Sequence, residues 1–331
     1  MDECAELALS SLGIDVRDVL WGNATDKLAN TRYLQPALFV LEYALARAWL
    51  ARGVRPTTVL GHSIGEYAAA CVAEIFSLQD ALKLVCARGQ LMDQLTTPGE
   101  MIAALAARST VEPLIKDAGD DLAVAAENSP GNTVIAGGAG SVARVRAALE
   151  QRGIKVIPLD VARAFHSPLM EPMLQAFAAV ARTVRYSRPK IAFVSTVTGT
   201  KLSAELTSAD YWVRQIAATV CFASAAREAL RKKDSVLLEI GPGSTLVALA
   251  TETLASEQRI CVPTLTRGAA ATGSFKRAIA TLYEHGVDID WLALARQEGP
   301  GRRTSLPVYP FDRRRFWPVR QAASSTTALG L

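Results

Sequence analysis

At 331 residues, 50% of them hydrophobic and 21% charged, the chain has ordinary globular composition and room for one large domain with an insert or for two modest ones. No apolar run reaches the roughly 18–20 uncharged residues of a bilayer span. Asp2 and Glu3 stand where a secretory leader carries lysine or arginine, so a soluble cytoplasmic protein is expected. The net charge of +4 belongs to the tail: residues 296–331 hold seven arginines against Glu298 and Asp312, which leaves −1 on the rest. The body is therefore not basic, and neither nucleic acid nor membrane is expected as a partner. Cys4, Cys71, Cys86, Cys221 and Cys261 form no CxxC pair and read as buried, reduced thiols rather than a zinc site or disulfide framework.

In chain order, PALFVLEYALARAWLARG (36–53) repeats apolar residues at helical spacing, with Gly53 suited to its C-terminal cap. TTVLG (57–61) reads as a short buried strand. A helix follows from about Ile64, and another from Leu78 to about Leu95 with Ser77 as its N-cap. Residues 99–160 change rhythm. MIAALA, LAVAAE, TVIAGG and IKVIPLDV read as strands, and STVEPLIKDAG and SVARVRAALEQRG as helices. That order, βαββαβ, predicts a ferredoxin-like unit inserted between two parts of a larger α/β domain, residues 1–98 and 161–295. Further strands are expected at IAFVST (191–196) and VLLEIG (236–241), and the last helix is expected to end near Gly286. Residues 296–331, rich in Gly, Pro and Arg and closing on QAASSTTALGL, read as a linker and tail.

GHSIG (61–65) lies between a predicted strand and a predicted helix, the setting that a nucleophile elbow requires. The glycines permit the sharp turn that projects Ser63, and the helix N-terminus aims the Ile64 N–H where an oxyanion would form. A serine hydroxyl needs a base, and the chain offers three histidines. His62 adjoins Ser63 and points elsewhere around the turn, while His285 sits by a glycine at a helix end. His166, in RAFHSPLMEP, is left.

GHSIGEYAAACVAEIFSLQDAL, RAFHSPLMEPM, EIGPGSTL and YPFDRRRFW, in that order across about residues 1–320, resemble the acyltransferase domains of modular polyketide synthases, relatives of bacterial malonyl-coenzyme A:acyl carrier protein transacylases. The resemblance implies an α/β-hydrolase-like large domain with a ferredoxin-like insert and a Ser63–His166 dyad. Ser63 would take a malonyl group from coenzyme A and pass it to the phosphopantetheine thiol of an acyl carrier protein, with no permanently bound cofactor. It further implies that a carbonyl orients His166, with Gln215 of YWVRQ as the candidate and Asn128 of ENSPG as a weaker one. Arg88 of CARGQLM matches the carboxylate-binding arginine, and Phe165, His62 and Asn128 complete the expected substrate-binding set. Phe165 and Ile64 fit the malonyl pattern, in which HAFH replaces YASH, although Arg163 stands at its first position.

Family members begin with a strand and a GQGSQ-like loop carrying a second oxyanion N–H, and no such segment precedes DECAEL here. An unpaired apolar sheet edge is expected, together with a roughly 100- to 1000-fold lower rate. LPVYPFDRRRFW resembles the linker that returns toward the ketosynthase, with Tyr309, Phe311, Phe316 and Trp317 packing on protein. Two other functions remain open: a serine hydrolase or thioesterase, and an inactive truncated scaffold.

Overall fold

The computed structural model describes residues 1–299, 304–314 and 317, except Lys233 and Gln258. Two helices, α1 (Asp2–Leu12) and α2 (Val16–Trp21), lead into the long α3 (Thr31–Leu50). Pro36 lies inside α3, which starts earlier than the sequence indicates because the Asn30 side chain caps it by accepting from the Arg32 N–H. The chain then forms β1 (Thr58–Val59), α4 (Gly65–Val72) and α5 (Leu78–Leu95), the last with the expected Ser77 cap on the Asp80 N–H.

Next come β2 (Glu100–Ala104), α6 (Arg108–Ala118), β3 (Ala123–Ser129), β4 (Asn132–Gly137), α7 (Ala139–Gln151) and β5 (Val156–Leu159). They build a four-stranded antiparallel sheet in the order β3-β4-β2-β5. Its residues alternate between two cores, as a pleated sheet covered on both faces must. Ile102, Ala104 and Ile135 turn toward Val111, Val145 and Leu149 of α6 and α7. Met101, Ala103, Val134 and Ala136 turn toward the larger unit.

The remainder comprises α8 (Glu171–Ala181), β6 (Ala192–Val194), β7 (Lys201–Leu202), α9 (Ala209–Ala217), α10 (Phe222–Ala229), β8 (Val236–Glu239), α11 (Thr245–Thr253), β9 (Ile260–Pro263), α12 (Ala271–Glu284) and α13 (Trp291–Glu298). Strand β1 pairs in parallel with β6, and β8 with β9. Among the described residues neither β1 nor β8 has a partner on its other side, so the parallel strands form separate sheets. The fold is α/β. Phe39, Tyr67, Ile75, Leu84, Met92, Phe177, Phe193 and Trp212 fill its main core, which packs α5 against α3 and α8.

The small sheet is tied to this body by the Ala126–Val220 bridge and by a 2.6 Å hydrogen bond from Ser129 Oγ to Glu252 of α11. The expectation that the last helix ends near Gly286 is corrected. Helix α13 follows it, started by Asp290, whose side chain accepts from the Ala293 N–H. Residues 304–314 carry no helix or strand, and Tyr309 and Phe311 are exposed, as is Trp317. The Tyr309 and Phe311 rings meet edge to face at 5.0 Å, and Phe316 lies outside the described residues. Cys4, Cys71 and Cys86 are buried, but Cys221 and Cys261 are only half-buried; all five are free. Burial pushes the Cys71 and Cys86 thiols up to about 12.

Candidate active site

Strand β1 delivers the chain into a turn that only glycine can enter. A Cβ on Gly61 would lie 2.1 Å from the Gly65 carbonyl carbon. Ser63 then takes φ of 51°, in the left-handed region that a non-glycine residue adopts at a cost of roughly 1–3 kcal/mol. The turn closes through bonds from the Gly65 N–H to the His62 carbonyl and from the Glu66 N–H to the Ser63 carbonyl. Helix α4 starts directly after it, and among the described residues no acceptor takes the Ile64 N–H.

Ser63 Oγ lies 2.7 Å from His166 Nε2, so the two residues that the sequence singled out meet across 103 positions. His166 Nδ1 lies 2.8 Å from the Ala218 carbonyl. That carbonyl can only accept, so Nδ1 carries the proton and Nε2 offers its lone pair to the serine hydroxyl. His166 is buried, and its pKa falls to about 3, first through burial, then through the nearby Arg88 and His62. It is therefore neutral at pH 7, as a base must be.

The 2.8 Å acceptor for His166 Nδ1 is thus Ala218, just past the end of α9 and three residues beyond the expected Gln215. The Gln215 backbone adds a smaller favourable contribution to the protonated ring. Its side chain instead donates from Nε2 to the Ser63 carbonyl at 2.7 Å. Asn128 does not reach His166 either. Its Oδ1 lies 2.8 Å from His62 Nε2, joining the turn to the small sheet. His285 caps α12 and is exposed, with Nδ1 on the Thr281 carbonyl.

Arg88 is 1% exposed, yet among the described residues no carboxylate pairs with it. Its Nη1 donates to Gln35 Oε1, its Nη2 lies 3.4 Å from Ser63 Oγ, and its Nε has no partner among the described residues. The Tyr67 ring faces the guanidinium at 5.8 Å. Phe165 and Ile64, both half-buried, pack on the main core around Ser63 and His166. Arg163 points away from Ser63, donating to the Met92 and Asp93 carbonyls at the end of α5.

Residues 1–289 match the Acyl transferase domain family. The chain belongs to that family. It is 40% identical over 97% of its length to a phenolphthiocerol synthesis type I polyketide synthase of Mycobacterium marinum, and 41% identical over 96% to a mycoketide-CoA synthase of Mycobacterium tuberculosis. It spans only 15% and 8% of those two proteins. The acyltransferase domain from the second module of the salinomycin polyketide synthase superposes with a TM-score of 0.85 at 37% identity, over 94% of this chain and 73% of that one. A malonyl-CoA:acyl carrier protein transacylase from Xanthomonas oryzae gives 0.75 at 30% identity, over 83% and 89%.

Within this acyl transferase domain, sequence reasoning missed Gln35, Glu66, Thr196, Tyr211 and Ala218. Gln35 and Glu66 leave a signal, since each is a polar residue inside an otherwise apolar helical stretch. Ala218 leaves none, because it acts through its backbone.

Proposed function

We propose that this acyl transferase domain moves a malonyl group from malonyl-coenzyme A to the phosphopantetheine thiol of an acyl carrier protein, through an ester on Ser63. The observation that carries this is Arg88. A buried guanidinium with no counter-ion is costly, and an anionic substrate group that accepts from it relieves the cost where the nucleophile stands. Malonyl presents such a carboxylate, two bonds from the carbonyl that Ser63 attacks.

In the first half-reaction His166 Nε2 takes the Ser63 proton as Oγ bonds to the thioester carbonyl, and the oxyanion is held by the Ile64 N–H. Collapse breaks the C–S bond, and His166 returns the proton to the coenzyme A thiolate. In the second, His166 takes the proton of the carrier thiol, which attacks the ester, and Ser63 leaves with that proton restored. The Ala218 carbonyl keeps Nδ1 protonated throughout. His62 and Asn128, bonded to each other, wall the substrate channel, and Phe165 crowds the α-carbon against a methyl substituent. Coenzyme A enters only as a thioester substrate, and no resident cofactor takes part.

We also read the large unit, residues 1–98 and 161–295, as hydrolase-like and residues 99–160 as ferredoxin-like, whose strand order theirs matches. Residues 296–331 serve as a linker toward a ketosynthase, in a cytoplasmic synthase. Intact mass after mixing with malonyl-coenzyme A tests the reading. A malonyl adduct on Ser63 that a carrier protein removes supports it. Release as free malonate at the same rate without carrier favours a hydrolase, and no adduct means that Ser63 is not the nucleophile.

A further inference from the structure

Glu66 follows the GHSIG turn directly, and its side chain is fully buried. Two elements bring hydrogen-bond donors to its carboxyl. From the end of β6, the Thr196 N–H donates to Oε1 at 2.6 Å, and the Thr196 hydroxyl lies 2.9 Å from the same atom. From α9, the Tyr211 hydroxyl lies 3.1 Å from Oε2, and the Gln215 side chain also favours the charged carboxyl. Tyr211 and Gln215 are four residues apart, so they share one face of the helix.

Two of these donors reach on to the turn. The Thr196 hydroxyl shares its one proton between Glu66 and the Gly61 carbonyl 3.0 Å away, its N–H staying on the carboxyl, and Gln215 Nε2 donates to the Ser63 carbonyl. The strained residue is thus gripped on both sides by groups that converge on one carboxyl. Ala218, whose carbonyl orients His166, caps the same helix α9.

We infer that Glu66 is a positioning residue that sets Ser63 and His166 against each other through Thr196, Tyr211 and Gln215. A carboxylate offers only acceptors to these converging donors, whereas a carboxamide brings two donors of its own. Among the described residues the Gln215 Oε1 atom is buried without a partner, so the direction of that amide is fixed by its nitrogen. Placing a donor at residue 66 removes the preference, and the grip on the Ser63 carbonyl loosens with it.

This rests on Ser63 being the nucleophile, and one experiment separates the two ideas. Acylation by malonyl-coenzyme A is followed by rapid-quench intact mass in the parent, Glu66→Gln, Gln215→Met and the double variant. The assay is run at pH 8, above the value of about 7 to which burial pushes Glu66. Each single variant is expected to acylate about 10- to 100-fold more slowly. KM should stay within about twofold, because Arg88 and the substrate pocket are untouched. The double variant should be no slower than the worse single one, since both cut the same chain of bonds.

A parent that never labels overturns the nucleophile assignment. A labelling parent with Glu66→Gln at the parent rate, or with losses that multiply in the double variant, overturns the inference alone. A loss confined to KM overturns it too. Should Glu66→Gln not fold, Tyr211→Phe removes one donor and keeps the ring. The same slower rate at unchanged KM is then expected, and a parent-like rate refutes the role.

Discussion

The charge of Arg88 should govern the pH at which His166 stops acting as a base. Arg88 Nη2 is 3.4 Å from Ser63 Oγ, which is 2.7 Å from His166 Nε2, so the two nitrogens stand within about 6 Å. At an effective dielectric of about 20, that separation opposes the imidazolium by about 3 kcal/mol, or about two pH units. Burial acts in the same direction and is the larger cause; with His62, and against the opposing bonds from the Ala218 and Gln215 backbone, they bring the ring to about 3. Depression of a base keeps it neutral to lower pH, so His166 stays competent as a base on acidification. At pH 5 nearly all of the ring is neutral, whereas an unperturbed histidine would keep only about 3% in that form.

The assay is the acylation burst with 4-nitrophenyl acetate, which brings no carboxylate to Arg88, followed from about pH 4.5 to 8.5. The profiles are taken in the Glu66→Gln background, which removes the carboxyl that burial pushes up to about 7. There the burst should show no inflection near 6.5. Arg88→Met should raise the acid limb by about two pH units, and Arg88→Lys, which keeps the charge, should leave it low. An inflection near 6.5 with Arg88 intact would refute the reasoning, as would superimposable limbs with and without Arg88→Met.

Arg88→Ala should reduce malonyl transfer about 100-fold or more while reducing acetyl transfer far less, and equal losses in steady-state kcat/KM would make Arg88 structural. Phe165→Ser should raise the methylmalonyl-to-malonyl ratio about 10- to 200-fold in a competition assay, and an unchanged ratio removes Phe165 from selectivity. Gly61→Ala should cost about 3 kcal/mol or more, because its Cβ meets backbone and not a movable side chain. A melting curve matching the parent's would refute that account of the turn.

Elements with strong local signals were legible. Helix α5 runs over the residues expected from its period and its Ser77 cap, and the six elements between Glu100 and Leu159 follow the order read from their alternation. Misreadings came from punctuation. Pro36 looked like a helix start, yet Asn30 opens α3 one turn and a half earlier; Gly286 looked like the last stop, yet Asp290 starts α13. In the site, the Ser63–His166 contact was legible because a serine on an elbow and a histidine near it in the fold leave side-chain signatures. The carbonyl on His166 was read as that of Gln215, whose backbone does bear on the ring, whereas the 2.8 Å acceptor is Ala218; a backbone acceptor has no residue type to betray it. The alternation of the small sheet between two cores is likewise a tertiary fact, since a strand's period says which residues share a face and not what covers it.

Strain links these observations. Ser63 and His166 both adopt positive φ, 51° and 58°, without being glycine. Each such residue costs roughly 1–3 kcal/mol and persists only where its surroundings over-determine it. Around Ser63 the determinants are visible: Gly61 admits the close approach of Gly65, Gln215 and the Glu66 N–H both donate to its carbonyl, and Thr196 reaches the carbonyl of Gly61. Around His166, the ring is held at both nitrogens, and Ser167 Oγ donates to the Ala164 carbonyl while accepting from the Leu169 N–H. Relaxing either backbone to negative φ would swing its side chain out of the 2.7 Å contact. The strained conformations are therefore the ones that make a proton transfer between these two side chains possible, and the buried polar groups behind them are what keeps that geometry populated.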